Sequence, residues 1–235
     1  MRRAALAAAC LVAIGNTGST ATTPKFSNEQ LHYSINWPSG LSLGEGQLHA
    51  SRSKAEDKGP DRLNLEFTLD AGIPGFQVQD RYRSEATAEF CSILLERKSL
   101  HGKKKAEEKT TFDASKGSAV RETAGGGKSD IQTSSCAKDA LAYLYFLRSE
   151  LSQGRLPPSQ PVYFGATYQV RVEFAGTQSI RLGDSSAEAD RITASLKGPA
   201  SDLNFEVFFL KDAARTPALV KVPLSLGTFS MELVR

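Results

Sequence analysis

The stretch DALAYLYFLRSELSQG, residues 139–154, decides the fold. Its first half, 140–147, is a run of apolar and aromatic residues, whereas the sequence on both sides alternates apolar and polar residues as β-strands do. One stripe at helical spacing consists of Ala140, Leu144, Leu147 and Leu151. Other apolar residues extend this stripe around most of the circumference, so the helix must be covered on nearly every side.

We predict this helix over about 136–153. Ser134 and Ser135 are candidate caps for its start, and Asp139 in the first turn suits the helix dipole. Gly154 suits its end.

The rest of the chain reads as strands separated by turn residues at intervals of about ten. QLHYSINW (30–37) and RLNLEFTLD (62–70) alternate most clearly. No series of helices alternates with these strands, which excludes a doubly wound α/β fold. We therefore predict a mainly all-β protein: a strongly curved antiparallel sheet or open β-barrel, with the one apolar helix packed against it.

The first residues have the pattern of a secretory signal peptide. Arg2 and Arg3 precede an apolar run, 4–14, that is too short to span a bilayer. Ser19 and Ala21 then give a small-x-small cleavage pattern.

We divide the chain into a leader, 1–21, and a single β-rich domain, 22–235, and we expect a periplasmic or secreted protein. Cys10 follows an apolar run too short for a lipoprotein leader, so lipid anchoring there is not favoured. Without Arg2 and Arg3 the chain has 27 basic and 26 acidic residues, a balance that argues against nucleic acid as a partner.

Two cysteines remain after the leader, Cys91 and Cys136, and an exported chain with two cysteines favours one disulfide. The alternatives are two buried free thiols, or a reactive thiol at Cys136 near the helix start.

No sequence motif of catalysis, cofactor binding or metal binding is present. The three histidines, at positions 32, 49 and 101, are scattered and make no metal cluster with the cysteines. We therefore predict no catalytic, cofactor or metal residues, and a protein that is not an enzyme.

Two interpretations of the apolar helix are open: it is purely core that plugs the curved sheet, or helix and sheet enclose an apolar pocket whose ligand replaces part of the packing. That pocket is the candidate binding site. We predict that it is lined by Leu141, Leu144, Tyr145, Trp37 and Phe76.

Two short motifs resemble a known family. The helix contains D-x-L-x-x-x-Y-x-L-R, from Asp139 to Arg148, and a late D-x-x-R-x-P segment runs from Asp212 through Arg215 to Pro217. With the flanking strands, these resemble the bacterial exported domain of unknown function 3108. The resemblance implies an exported, mostly β protein and supplies no catalytic residues.

For the residues of these motifs we expect structural roles. Arg148 would bind strand-end carbonyls or a carboxylate, and Asp212 and Arg215 would form the turn before the strand that starts at Pro217.

Three functions compete. The first is a carrier for an apolar ligand, such as a lipid or acyl chain, and the second is an envelope scaffold that binds another protein through a sheet edge. The third is an unrecognised hydrolase. We expect no cofactor and no integral membrane span, and we assume a monomer.

Overall fold

The computed structural model describes residue 26 and residues 28–53, 61–199, 202–225 and 227–234. The predicted leader, with Cys10, lies outside the described residues. The signal peptide and the domain division at residue 22 therefore stay predictions.

Fourteen strands and one helix make up the described part of the chain. They are β1 (Glu29–Asn36), β2 (Ser42–Ser53), β3 (Arg62–Ile73), β4 (Phe76–Thr87), β5 (Ser92–His101), β6 (Lys104–Asp113), β7 (Ser118–Thr123), β8 (Lys128–Gln132), α1 (Ala140–Ser152), β9 (Gln160–Tyr163), β10 (Thr167–Leu182), β11 (Ser185–Lys197), β12 (Asp202–Leu210), β13 (Pro217–Leu224) and β14 (Gly227–Leu233).

All fourteen strands form one antiparallel sheet, in the order β8-β7-β6-β5-β4-β3-β2-β1-β14-β13-β12-β11-β10-β9. Strands that follow one another in the chain pair with each other, except for β8 and β9, and β1 also pairs with β14 in the middle of the sheet. The sheet is curled but not closed, since β8 and β9 are its two edges. The predicted fold class is confirmed.

β-Bulges help the sheet to curl. The pairing register shifts between Ile35 and Asn36 in β1, and again between Phe174 and Thr177 in β10. A bulge bends its strand and increases the local twist.

Gly44 of β2 lies so close to β3 that an added Cβ would be 2.0 Å from the carbonyl oxygen of Asp70, so only glycine fits there.

The helix is present, but it begins at Ala140 rather than at about residue 136. Its cap is Asp139, whose Oδ1 accepts hydrogen bonds from the backbone N–H groups of Leu141 and Ala142. The prediction that Ser134 or Ser135 caps the helix was wrong, because the carboxylate of Asp139 satisfies these N–H groups first.

The helix is apolar around most of its circumference because the curled sheet surrounds it. Leu141 and Tyr145 pack into a first core cluster, formed mainly with β1–β4 and β10–β14. Tyr143, Leu147 and Leu151 pack into a second cluster with β9–β13. A helix that crosses the concave face of a sheet meets apolar side chains on two sides at once, which explains the composition of 140–147.

The edge strand β9 and the segment before the helix pack against the strands β5–β7 near the opposite edge of the sheet. Tyr163 of β9 packs with Leu95, Phe112 and Ala119 on the faces of β5, β6 and β7. The segment 137–139 lies between these layers: the carbonyl of Ala137 accepts from the N–H of Ser92 at 2.8 Å, and that of Lys138 accepts from the N–H of Tyr163 at 2.8 Å.

Candidate functional site

A cavity of about 360 Å³ lies between the helix and the concave face of the sheet. The helix contributes one side of its wall and the inward-facing residues of the strands contribute the rest. The lining residues are Tyr33, Leu48, Phe67, Tyr82, Leu95, Asp139, Ala140, Leu141, Tyr143, Leu144, Leu147, Val162, Phe164, Tyr168, Val170, Val172, Ile192, Ala194, Leu196, Leu203, Phe205, Val207, Phe209, Pro217, Val220 and Met231.

The strand sequences place these residues on the inner face by their period of two. In β10, Tyr168, Val170 and Val172 line the cavity, while the residues between them point to the other face. In β12, Phe205, Val207 and Phe209 do the same. The wall is therefore continuous hydrocarbon over several adjacent strands.

Two of the predicted pocket residues, Leu141 and Leu144, line this cavity. Tyr145 lies on another side of the helix, fully buried, and its hydroxyl donates to Glu29 Oε2 at 2.8 Å. Trp37 packs edge-on against Phe229, with ring centroids 4.8 Å apart. Phe76 is largely exposed at the β3–β4 turn and borders a separate cleft. The structure thus does not bring these five residues together, because Trp37 and Phe76 lie beside turns at strand ends.

Asp139 is the one charged residue in the cavity wall, and its carboxylate is already engaged. Besides the two helix N–H groups, Oδ2 accepts from the hydroxyls of Ser84 and Ser92, each at 2.6 Å. Burial raises the pKa of this carboxyl, and the hydrogen bonds oppose that rise. The role of Asp139 is therefore to hold the helix start on β4 and β5.

Tyr143 is one of the tyrosines that line the cavity. Its hydroxyl group differs from the carboxylate of Asp139 in its surroundings. It is buried and has no hydrogen-bond partner among the described residues. Burial raises the pKa of Tyr143 to about 12, so the group stays a neutral O–H at physiological pH.

The second half of the helix is held by a buried ion pair. The sequence predicted a carboxylate as one possible partner of Arg148, but it did not identify Glu29 as that partner. Arg148 is fully buried and binds Glu29 of β1 through two hydrogen bonds, of 2.7 and 2.6 Å. Its Nε donates to the carbonyls of Ala214 and Arg215, at 3.0 and 3.2 Å. The structure thus gives Arg148 both a carboxylate and turn carbonyls as partners.

The late D-x-x-R-x-P segment forms the turn that presents those carbonyls. Asp212 accepts from the N–H and the hydroxyl of Thr216, at 2.9 and 2.7 Å. Arg215 adopts a positive φ of 49° and binds Asp190 of β11 at 2.8 Å. The two family-like motifs therefore meet in space, where the turn receives the helical arginine.

A disulfide joins Cys91 to Cys136. It ties the start of β5 to the segment that precedes the helix, beside the hydrogen bond from Ser92 to Ala137. Together with Asp139 and Arg148, this bond fixes the helix at both ends over the cavity.

The cavity wall reaches the surface at Phe164, whose side chain is 41% exposed and stacks on Tyr82. The guanidinium carbon of Arg97 lies 5.9 Å from the ring centroid of Tyr82 and 6.0 Å from that of Phe164. Burial raises the pKa of Tyr82, and the nearby Arg97 opposes that rise. Sequence reasoning missed Arg97 because it lies in the charged run 96–98.

Within the described ranges, no group of histidine, cysteine and acidic side chains is arranged to hold a metal ion. Over the same residues, no helix is both long enough and apolar enough to cross a membrane.

Known structures resemble the fold. The crystal structure of a β-barrel-like protein of domain of unknown function DUF1849 from Brucella abortus aligns with a TM-score of 0.61 at 8% identity, over 90% of this chain and 97% of that chain. The lipoprotein LppX of Mycobacterium tuberculosis aligns over 88% of this chain and 85% of that chain, at 10% identity, with a TM-score of 0.28. The first likeness shows the fold alone, and the second carries no argument about this chain.

No curated protein matches the sequence. The model of one family, described as protein of unknown function (DUF3108), matches residues 31–234. Because this match spans most of the chain, the protein belongs to the DUF3108 family, as the resemblance of its helix and late turn predicted.

Proposed function

We propose that this protein binds and carries an apolar ligand, such as a lipid or an acyl chain, in the cavity between the helix and the sheet. The observation that carries the proposal is the wall of that cavity. It is formed by apolar and aromatic side chains over several strands, and its one charged member, Asp139, is saturated with hydrogen bonds.

The size and chemistry of the cavity suit a hydrocarbon. Its volume of about 360 Å³ is at the lower end of the range of roughly 300–1,000 Å³ in which proteins bind small molecules. Each methylene moved from water into such a wall gains about 0.8 kcal/mol. A flexible chain therefore gains affinity with length until the cavity is full.

We further propose that the protein is exported and acts without catalysing a reaction. The leader-like residues 1–21 and the disulfide between Cys91 and Cys136 support export, because such bonds persist in oxidising compartments.

Native mass spectrometry of the protein purified from the periplasm of its own host tests the carrier function. We expect an additional bound mass of several hundred daltons that leaves on gentle activation. After delipidation, the protein should take up a fluorescent fatty acid.

A matched pair of helix variants tests whether the ligand occupies this cavity. Leu144→Trp enlarges a side chain that lines it and should abolish uptake of the fluorescent fatty acid. Phe146→Trp enlarges a half-buried side chain of the same helix outside the lining and should leave uptake unchanged. A native protein that carries no lipid and takes up none after delipidation would refute the carrier function.

A scaffold function at a sheet edge has one supporting observation. β8 is an edge strand that pairs only with β7 among the described residues, and most of its side chains are exposed. Strand addition by another protein would use that free edge. Cross-linking in the cell envelope from a reactive group at Ser129 should capture a partner if this function is real, with Thr193 of an inner strand as the control position.

A further inference from the structure

At the surface end of the cavity, positively charged side chains outnumber negatively charged ones. On the concave face of the sheet, Arg97 of β5 lies opposite Glu108 of β6, and Arg121 of β7, which lies opposite Thr110, is the diagonal neighbour of Glu108. The next acidic residue on that face is Asp80, which is bound to His101 at 2.9 Å. Two guanidinium groups therefore share one carboxylate beside an apolar cavity.

Glu108 is bound mainly by Arg121. Arg121 Nη2 contacts Glu108 Oε1 in a short ion pair that raises the pKa of the arginine, whereas Arg97 Nη1 lies 3.9 Å from Glu108 Oε2, beyond hydrogen-bond distance. Arg97 Nε is buried and has no hydrogen-bond partner among the described residues. Arg97 thus has donors that its protein neighbours leave unused, and a buried donor of this kind calls for a partner.

The position of Arg97 directs these donors to the end of the cavity. Its guanidinium lies against the rings of Tyr82 and Phe164, both of which line the cavity. Gly165 follows Phe164 with a positive φ of 70°, and a Cβ added there would be 3.2 Å from Arg97 Nη1. The turn therefore leaves room beside the guanidinium where a side chain would crowd it.

We propose that Arg97, with Arg121 behind it, binds the oxyanion head group of a single-chain amphiphile whose hydrocarbon tail fills the cavity. The fork of an arginine matches a carboxylate or a phosphate, and both head groups present the same oxyanion chemistry. This inference rests on the carrier function and specifies its ligand class: an anionic amphiphile rather than a neutral hydrocarbon or a cationic lipid.

Binding to the full delipidated chain tests the inference with four probes: dodecanoate, dodecyl phosphate, dodecanol and inorganic phosphate. The wild type should bind one or both anionic amphiphiles roughly ten- to a hundred-fold more tightly than dodecanol, the range expected for charge-assisted hydrogen bonds. Inorganic phosphate alone should bind far more weakly, because it lacks the tail that fills the cavity.

The affinities of the wild type for the four probes are compared with those of two variants of Arg97 and one variant of the neighbouring Lys98. Arg97→Gln should remove the preference for anions while leaving the affinity for dodecanol unchanged, and Arg97→Lys should keep part of the preference because it retains the charge. Lys98→Gln removes one positive charge from the opposite face of the same strand and should alter none of the four affinities. Thermal melting of each variant checks that it is folded.

The outcomes separate the two levels of the proposal. Tight binding of dodecanol with no preference for either anionic amphiphile would overturn the head-group site and leave the carrier function standing. The same holds if Arg97→Gln and Lys98→Gln change the anion preference equally, or if inorganic phosphate alone binds as tightly as dodecyl phosphate. Failure of all three amphiphiles to bind would overturn both.

Discussion

Replacing Arg148 with methionine tests how the helix is anchored. The arginine side chain is fully buried, and methionine fills a similar space without charge. The substitution leaves the carboxylate of Glu29 without its cation, with only the hydroxyl of Tyr145 still donating to it. It also removes the donor that serves the carbonyls of Ala214 and Arg215.

The expected cost follows from these partners. Removing one member of a buried ion pair lowers the free energy of unfolding by about 3–5 kcal/mol, because the other charge stays buried without compensation. For a chain of this length, that loss lowers the Tm by roughly 6–20 °C. Arg148→Met combined with Glu29→Leu should recover much of the loss, since no uncompensated charge remains.

Equilibrium urea unfolding measures the effect, with the fluorescence of Trp37 as the probe. Trp37 is the one tryptophan of the chain and packs against Phe229 of β14, so its emission reports on the sheet. The control is Arg62→Met, which removes an ion pair with Glu85 whose side chains are 46% and 37% exposed. That variant should lose less than about 1 kcal/mol. An equally small loss for Arg148→Met would refute the anchoring role.

Three further predictions concern the disulfide, the cap and the cavity. Reducing the Cys91–Cys136 bond, which spans 45 residues, should lower the free energy of unfolding by about 4 kcal/mol, measured by urea unfolding with and without reductant. Burial raises the pKa of Asp139 above the unfolded value of about 3.9, so its stabilising contribution is complete below that pH and is lost as pH rises through the folded pKa. The free energy of unfolding of the wild type minus that of Asp139→Asn should therefore fall from acid to neutral pH. A difference that stays flat or rises would contradict this. Leu144→Ala at the cavity wall should cost less stability than Leu65→Ala in the packed core, where about 2–5 kcal/mol is expected, and equal losses in thermal and urea unfolding would argue that the cavity wall is packed like the core.

The fold class followed from local patterns. In β3, Leu63 and Leu65 are buried as their alternation with polar residues predicts, and the apolar run 140–147 became the one helix among the described residues. The strand order could not be predicted, because the alternation of β1 shows that it is a strand but does not show that its second neighbour, beside β2, is β14. Pairing across the chain is decided by the curvature of the whole sheet, which no single window encodes.

The candidate site was predictable only in part. Leu144 was found because the helix has more apolar positions than one face can bury. Arg97 was missed because Glu96 and Lys98 beside it suggest a solvated strand, although its position two residues after the buried Leu95 places it on the inner face. Glu29 was missed because it lies at the first position of β1, before the clear alternation begins. Its role depends on Arg148, more than a hundred residues away.

β1 and β14 lie side by side in the middle of the sheet, although Tyr33 pairs with Leu233 across nearly the whole chain. β1–β8 and β9–β14 are each built from neighbouring hairpins, whose short loops close quickly, whereas the β1–β14 pairing closes a very long loop and must form late. Until β14 pairs, the backbone of β1 is an open edge with apolar residues beside it, the kind of surface on which chains aggregate. The β1–β14 pairing therefore covers an edge that would otherwise promote aggregation, and a chain cut short before Gly227 keeps that edge permanently exposed.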